Sequence, residues 1–323
     1  MEHKLVPLGL DDVDAIAALQ SRWEEHWQVP FRSTVDEVRD DFEHPQFTPD
    51  LDTRGVWHED RLVAYGMIHH TTSGSRLERA IVGGQVDPTM CGLGIGRRLL
   101  AWQVERAVER LRECDPALPW YVRAYEWEWI EPARRLYDRL GLRPVRWFED
   151  MVRDLDIPLE VAVPEDIEIV DWASIDEEAG RRVTNESFAD HWGSTPRDPE
   201  AWRRLLSTSD MRLDLSFAAV ADGEVVGVCI NGHFPQDIDS TGRIDGWIEI
   251  LGVTRPYRRR GVAATLIARS LEAFRSAGFT HAMIGVDADS PTGASGLYRK
   301  LGFEPLLRSV AHELEVPHGG LRP

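Results

Sequence analysis

The sequence predicts two α/β domains in tandem, each a mostly antiparallel mixed sheet flanked by helices, and three observations carry that expectation. First, one plan of strand, glycine turn, helix, strand and tyrosine occurs twice. Second, a stretch of prolines and acids at 154–166 separates the copies and suits an exposed connection. Third, 323 residues give each copy enough chain to bury its own core. The expected domains are residues 1–156 and 165–323.

The copies align element by element. A short strand opens each, at 4–8 and at 167–170. Acidic helical regions follow at 11–25 and 175–189. Next comes a loop with His26-Trp27 in one copy and His191-Trp192 in the other. Second helices begin near Thr34 and Pro199. A hairpin spans 55–66 and is matched at 217–227, where Asp222-Gly223 is a strong tight-turn signal. Apolar strands at 81–86 and 247–253 run through Pro88 and Pro256 into glycine turns, which enter helices at 97–112 and 264–275. Later strands at 120–127 and 284–289 precede Leu-Tyr-x-x-Leu-Gly segments. Gly94 precedes Tyr137 by 43 residues, and Gly261 precedes Tyr298 by 37. The last strands are expected at 145–153 and 307–314, and a frayed tail from 317.

Composition narrows the function. A formal net charge of -18 argues against broad nucleic-acid binding, which needs basic surface to displace counterions. It would attract a cationic small molecule. No apolar run reaches the length of a membrane span, and the start lacks a secretory signal. Cys91, Cys114 and Cys229 are odd in number and in no metal-ligand spacing. A reducing cytoplasm, no metal, and a monomer or homodimer are the expectations.

The chemistry points to the turn Arg258-Arg259-Arg260-Gly261-Val262-Ala263. A turn entering a helix leaves backbone N–H groups without acceptors, and the helix dipole adds positive character there. A phosphate or pyrophosphate fits. Gly261 and the small Ala263 let the backbone approach a ligand, and the arginines complement a polyphosphate. The turn lacks the Gly-Lys-Ser/Thr ending of a Walker loop. Neither half shows the parallel strand–helix series of a dinucleotide fold.

On these residues each half resembles a GNAT-superfamily N-acyltransferase. The family's Arg/Gln-x-x-Gly-x-Gly/Ala signature is matched by Arg258, Gly261 and Ala263, and Leu297-Tyr298-Arg-Lys-Leu-Gly-Phe303 matches its late tyrosine segment. The tandem arrangement is similar to that of mycothiol synthase and related two-domain acetyltransferases. The resemblance implies acetyl-CoA as co-substrate. It implies that the amides from Arg259 through Ala264 hold the pyrophosphate and that Leu251 and Val253 pair with the pantetheine arm inside a splayed strand pair. The family often has Asn after the following strand, where Ser290 is the nearest match. In the first copy Gly92, Gly94 and Gly96 keep the turn open and Val86 sits at the strand end, but Cys91 replaces the signature arginine. That half is either a second acyl-CoA site or a structural partner.

Acetyl transfer needs a base for the attacking amine and a proton for the departing thiolate. The resemblance implies Tyr298 as the acid, with Tyr137 as its counterpart; the competing reading is a core tyrosine on an amphipathic helix. Glu249 is the candidate base, four residues before Val253 and on the same side of the strand under a period of two. Many relatives carry the carboxylate two residues earlier, where this chain has Trp247. Asp287 and Asp289 are alternatives, as is a structural Glu249. The repeated His-Trp pairs either border an acceptor pocket or staple the fold. Trp120, Trp127, Trp129 and Trp147 line a pocket or pack an interface. The expected activity is acetyl transfer to a primary amine of a small molecule. A protein N-terminus or lysine, or a non-catalytic acyl-CoA sensor, stand as alternatives.

Overall fold

A computed structural model describes residues 4–70, 76–289 and 293–317. Ser290 and the tail beyond 317 lie outside the described residues. In chain order the elements are α1 (Val13–Trp27), α2 (Val35–Phe42), α3 (Pro49–Asp52), β1 (Thr53–His58), β2 (Arg61–His70), β3 (Glu78–Val86), α4 (Ile95–Leu111), β4 (Trp120–Trp127), α5 (Glu131–Arg139) and β5 (Arg143–Asp154). Then come β6 (Glu168–Asp171), α6 (Glu177–Ser187), α7 (Pro199–Leu206), β7 (Phe217–Ala221), β8 (Glu224–His233), α8 (Ile238–Thr241), β9 (Asp245–Val253), α9 (Val262–Ser276), β10 (His281–Asp287), α10 (Ala294–Lys300) and β11 (Glu304–Val316).

Local chemistry sets many of these boundaries. Thr34 accepts the N–H of Glu37 at 3.1 Å, and the Glu37 carboxylate accepts the N–H of Thr34 at 2.7 Å. That reciprocal cap starts α2. Asp198 accepts the N–H of Ala201 at 2.8 Å and, with Pro199 behind it, starts α7. Asp222 and Gly223 both take positive φ, 50° and 80°, as the tight turn between β7 and β8 requires.

Contacts divide the chain into two units: residues 1–146 with 309–323, and residues 147–308. The first unit's strands run in the order β1-β2-β3-β4-β11; β3 and β4 are parallel, and among the described residues β1–β2, β2–β3 and β4–β11 are antiparallel. Leu100, Val104, Ala107 and Leu111 of α4 pack on Val82 and Val122. The second unit runs β6-β7-β8-β9-β10-β5, with β9 and β10 parallel. There Val262, Leu266, Ile267, Leu271 and Phe274 of α9 form the stripe that meets the sheet.

The expected division at 154–166 differs from this partition. It assigns the strand at 145–153 to the first half and the strand at 307–314 to the second. Instead, Phe148–Asp154 pair antiparallel with β10, and Ser309–Val316 pair antiparallel with β4. A side-chain ion pair secures the second of these pairings. Arg123 on β4 is 1% exposed and donates from Nε to Glu313 on β11 at 2.7 Å. Buried Arg153 on β5 donates to the carbonyls of Leu301 and Ile157, both at 2.7 Å. The strand content was legible from alternation, but alternation carries no information about which edge a strand joins.

Both units open along their parallel strand pair. In the second, pairing of β9 with β10 stops at Ile248 opposite Ile284. Beyond that point β9 continues with β8 as far as Val253, while β10 continues with β5 as far as Asp287. In the first, pairing of β3 with β4 stops at Ile81 opposite Arg123.

Candidate active site

The wedge in the second unit leads into a groove of about 1420 Å³. Its walls include Glu249, Leu251 and Val253 from β9, the turn from Arg258 to Ala264, Ile284 to Asp287 from β10, and Tyr298 from α10. Most predicted residues of this copy therefore line one cavity; Arg260, Asp289 and Trp192 do not, and Ser290 lies outside the described residues.

The geometry of the turn suits an oxyanion. Gly261 has φ 89° and caps α9, a backbone state in which a side chain is strained. The first helical bond there runs from the Thr265 N–H to the Gly261 carbonyl at 3.0 Å. Donors earlier in the turn therefore lack helical acceptors and are available to oxyanions. The three arginines divide their work. Arg258 faces inward, donating to the carbonyls of Val253 and Ser187, both at 3.0 Å, and lying 3.6 Å from Asp190. It ties the turn to the ends of β9 and α6. Arg260 pairs with Asp166 and covers the Tyr257 ring. Arg259 is exposed, with φ 61°, on the lip of the groove.

Glu249 owes its position to a β-bulge. Ile230 pairs with Ile250 and Asn231 with Ile248, so Glu249 is the extra residue on β9. A bulge re-aims a side chain, and this one falls where the strands separate. Glu249 opens to groove solvent, yet protein surrounds most of its carboxylate. Burial, with the charges of Asp150 and Asp210, pushes it up to about 7. Trp247, at the position many relatives use for a carboxylate, packs against Phe234 with ring centres 6.1 Å apart and does not line the groove. Asp287 is 8% exposed and accepts the Asp289 N–H at 3.0 Å, while Asp289 is exposed outside the groove wall. Tyr298 is 7% exposed, and burial raises its phenol above the ordinary range.

Sequence reasoning missed Asp150. It sits on β5 opposite Gly285, on the groove wall, and burial pushes it up to about 6. Glu249, Asp150 and Asp210 thus gather negative charge near the end of the groove. His191 lines the groove and lies 4.6 Å from the Phe188 ring, while Trp192 packs on Phe148 at 6.1 Å. The pair therefore serves both readings: one ring at the cavity, one in packing.

The first unit has a smaller cavity, about 650 Å³, lined by Trp27, Val86, Cys91, Gly92, Gly94, Gly96, Glu126 and Tyr137 among others. Gly94 has φ 80° and caps α4 as Gly261 caps α9. Cys91 is exposed, and burial of its thiol together with Asp87 raises its pKa, so nothing here activates it as a nucleophile. Glu126 is pushed up to about 8 by burial, and its charge adds to the burial that raises Tyr137. Trp120 is core, whereas Trp127 stacks on Trp129 at 5.3 Å, and the Trp129 indole donates to the Trp27 carbonyl at 3.0 Å. Trp147 lies under Arg308 in the second unit. Among the described residues, no helix is long and apolar enough to cross a membrane.

Residues 178–303 match the acetyltransferase (GNAT) family model. A stretch of 91 residues is 35% identical to N-alpha-acetyltransferase MAK3 of Arabidopsis thaliana, covering 28% of this chain and 44% of that protein. N-alpha-acetyltransferase 30 of Schizosaccharomyces pombe is 27% identical over 90 residues, 28% of this chain and 57% of that protein. The chain thus spans about half the length of these curated relatives. Over nearly the whole chain, a GCN5-related N-acetyltransferase from Sphaerobacter thermophilus is 27% identical with a TM-score of 0.77, covering 97% of this chain and 95% of that one. A tandem GNAT protein of the clavulanic acid biosynthesis pathway shares the fold, with a TM-score of 0.69 at 18% identity, covering 97% and 98%. The second copy of the plan thus matches the GNAT acetyltransferase family model, and both copies share the fold of GNAT proteins.

Proposed function

We propose that the second unit transfers an acetyl group from acetyl-CoA directly to a primary amine. The carrying observation is a raised carboxylate, Glu249, on a bulge in the same groove as a helix-capping anion cradle and a buried tyrosine. The cradle fits the co-substrate: the donors before Thr265 lie beside a left-handed glycine, and a larger side chain there would fill the space a pyrophosphate needs. Acetyl-CoA supplies the acetyl group as a thioester and leaves as the free thiol. Glu249 takes the proton that the amine nitrogen sheds as it bonds to the acetyl carbon. The Tyr298 hydroxyl donates to the sulfur as the carbon–sulfur bond breaks, and it regains a proton from solvent. A base near 7 is well matched to this work at neutral pH.

The acceptor is a small cationic amine. Asp150 and Asp210 beside Glu249 favour binding of a charged ammonium at the groove, and its first proton passes to groove solvent before the neutral amine attacks. The N-alpha-acetyltransferase names of the curated relatives support a second reading, in which the amine is a peptide N-terminus.

Free-thiol release should be followed with polyamines, aminoglycosides, amino sugars and short peptides. Wild type is expected to turn over a small amine, with kcat/KM rising with pH and levelling above about 7, where Glu249 is ionised. Glu249→Gln should lower kcat by about 10²–10⁴ with acetyl-CoA affinity retained, and Tyr298→Phe should lower kcat alone. Turnover of peptides only would move the acceptor to the second reading. Acetyl-CoA binding without thiol release on any amine would make the protein a sensor.

A further inference from the structure

Away from both grooves, His70, Glu78 and Cys114 come together in the first unit. His70 ends β2, Glu78 begins β3, and Cys114 lies in the turn after α4, 44 residues from His70. The Cys114 sulfur is 3.3 Å from His70 Nε2. A His70 ring nitrogen, a Glu78 carboxylate oxygen and the sulfur all lie within 4.8 Å of one another. Among the described residues this is the one such cluster of three ligand types. Glu78 is 2% exposed and Cys114 half-buried, so it is not a solvated surface cluster. Backbone geometry holds it in place: the Glu78 N–H donates to Pro119 and the Cys114 N–H to Leu111.

We propose that His70, Glu78 and Cys114 form a Zn²⁺ site that clips the β2–β3 hairpin to the far end of α4. In a tetrahedral zinc site, bonds of about 2.1 Å to nitrogen and 2.3 Å to sulfur set those two ligands about 3.6 Å apart. The observed 3.3 Å needs only a small side-chain adjustment. A neutral imidazole, a carboxylate and a thiolate sum to two negative charges, which balance the dication. Thiolate and imidazole select zinc over magnesium or calcium. Binding releases the Cys114 thiol proton to solvent; no electron moves. Three protein ligands leave a fourth position for water. Cysteine spacing alone misses this site because each ligand comes from a different element.

Untagged protein should be stripped with chelator, reloaded with Zn²⁺ or Co²⁺, and assayed for bound metal by emission spectroscopy. Expected are one tightly held Zn²⁺ per chain, a thiolate-to-cobalt charge-transfer band with Co²⁺, and a Tm raised by Zn²⁺. Cys114→Ser should lose the band and the Tm shift, and His70→Gln should weaken Zn²⁺ binding. Cys91→Ser, altering a thiol elsewhere, should keep all three, and circular dichroism checks that each variant folds. No retained zinc in wild type, or a cobalt band that survives Cys114→Ser in folded protein, overturns the proposal.

Discussion

At position 258 the arginine reaches back to hold its own turn, and at the corresponding position 91 a cysteine cannot. The first unit secures its turn differently. Asp87, just before it, is buried, which would raise its carboxyl, but bonds from Thr89, Arg61 and Arg22 outweigh burial and hold it well below the ordinary range. Arg22 comes from α1 and also reaches the Leu62 carbonyl at 2.9 Å. The anchoring guanidinium thus arrives from another element, so the missing signature arginine does not leave the loop untied. Charge matters at the groove too. Asp150 raises Glu249 through like-charge repulsion, so Asp150→Asn should lower the Glu249 pKa. The pH–rate midpoint is then expected below 7, with a higher KM for a cationic amine and little change for acetyl-CoA. An unmoved midpoint in a full pH profile would remove Asp150 from this role. Glu249 and Tyr298 were legible because each sits at a fixed place relative to the glycine turn. Asp150 was not, since it is remote in sequence and its strand was assigned to the other half.

Under the proposed function, co-substrate binding rests on the second glycine turn, and the first turn is its counterpart. A β-carbon at Gly261 meets nothing closer than 3.6 Å, so space alone does not require glycine. The φ of 89° does, and Gly261→Ala should cost about 1–2 kcal/mol of stability in thermal unfolding. Gly261→Glu adds bulk and negative charge where the pyrophosphate would lie. Calorimetric titration of acetyl-CoA should show the second unit's site lost in that variant and kept in Gly94→Glu. A second site lost only with Gly94→Glu would make the first cavity an acyl-CoA site as well. Most of the strand and helix order was readable from alternation, caps and turn residues, but the strand expected at 4–8 forms only an isolated bridge from Val6 to Gly55, and the short helices α3 and α8 carried no such signal. The bulge at Glu249 was not readable either, because it appears only when β8 is laid against β9.

For the molecule as a whole, the contact units decide which fragments hold a complete sheet. Residues 147–308 contain every strand from β6 to β10 and the part of β5 that pairs with β10. Expressed alone, that fragment should unfold cooperatively by circular dichroism. Residues 165–323 lack that part of β5 and should give a broad transition or aggregate. Residues 1–156 leave β4 without Ser309–Val316 and its edge exposed. Cooperative unfolding of 165–323 but not of 147–308 would reverse this reading. Chain order also has a meaning in time. A ribosome makes 309–316 only after all of 147–308, so the strand that completes the earlier unit is made last. The usual sequence, in which the leading domain folds first, is therefore inverted. During synthesis, β4 waits with a bare edge while the later unit acquires all its strands, and that interval is when the nascent protein is most open to mispairing with a neighbouring chain.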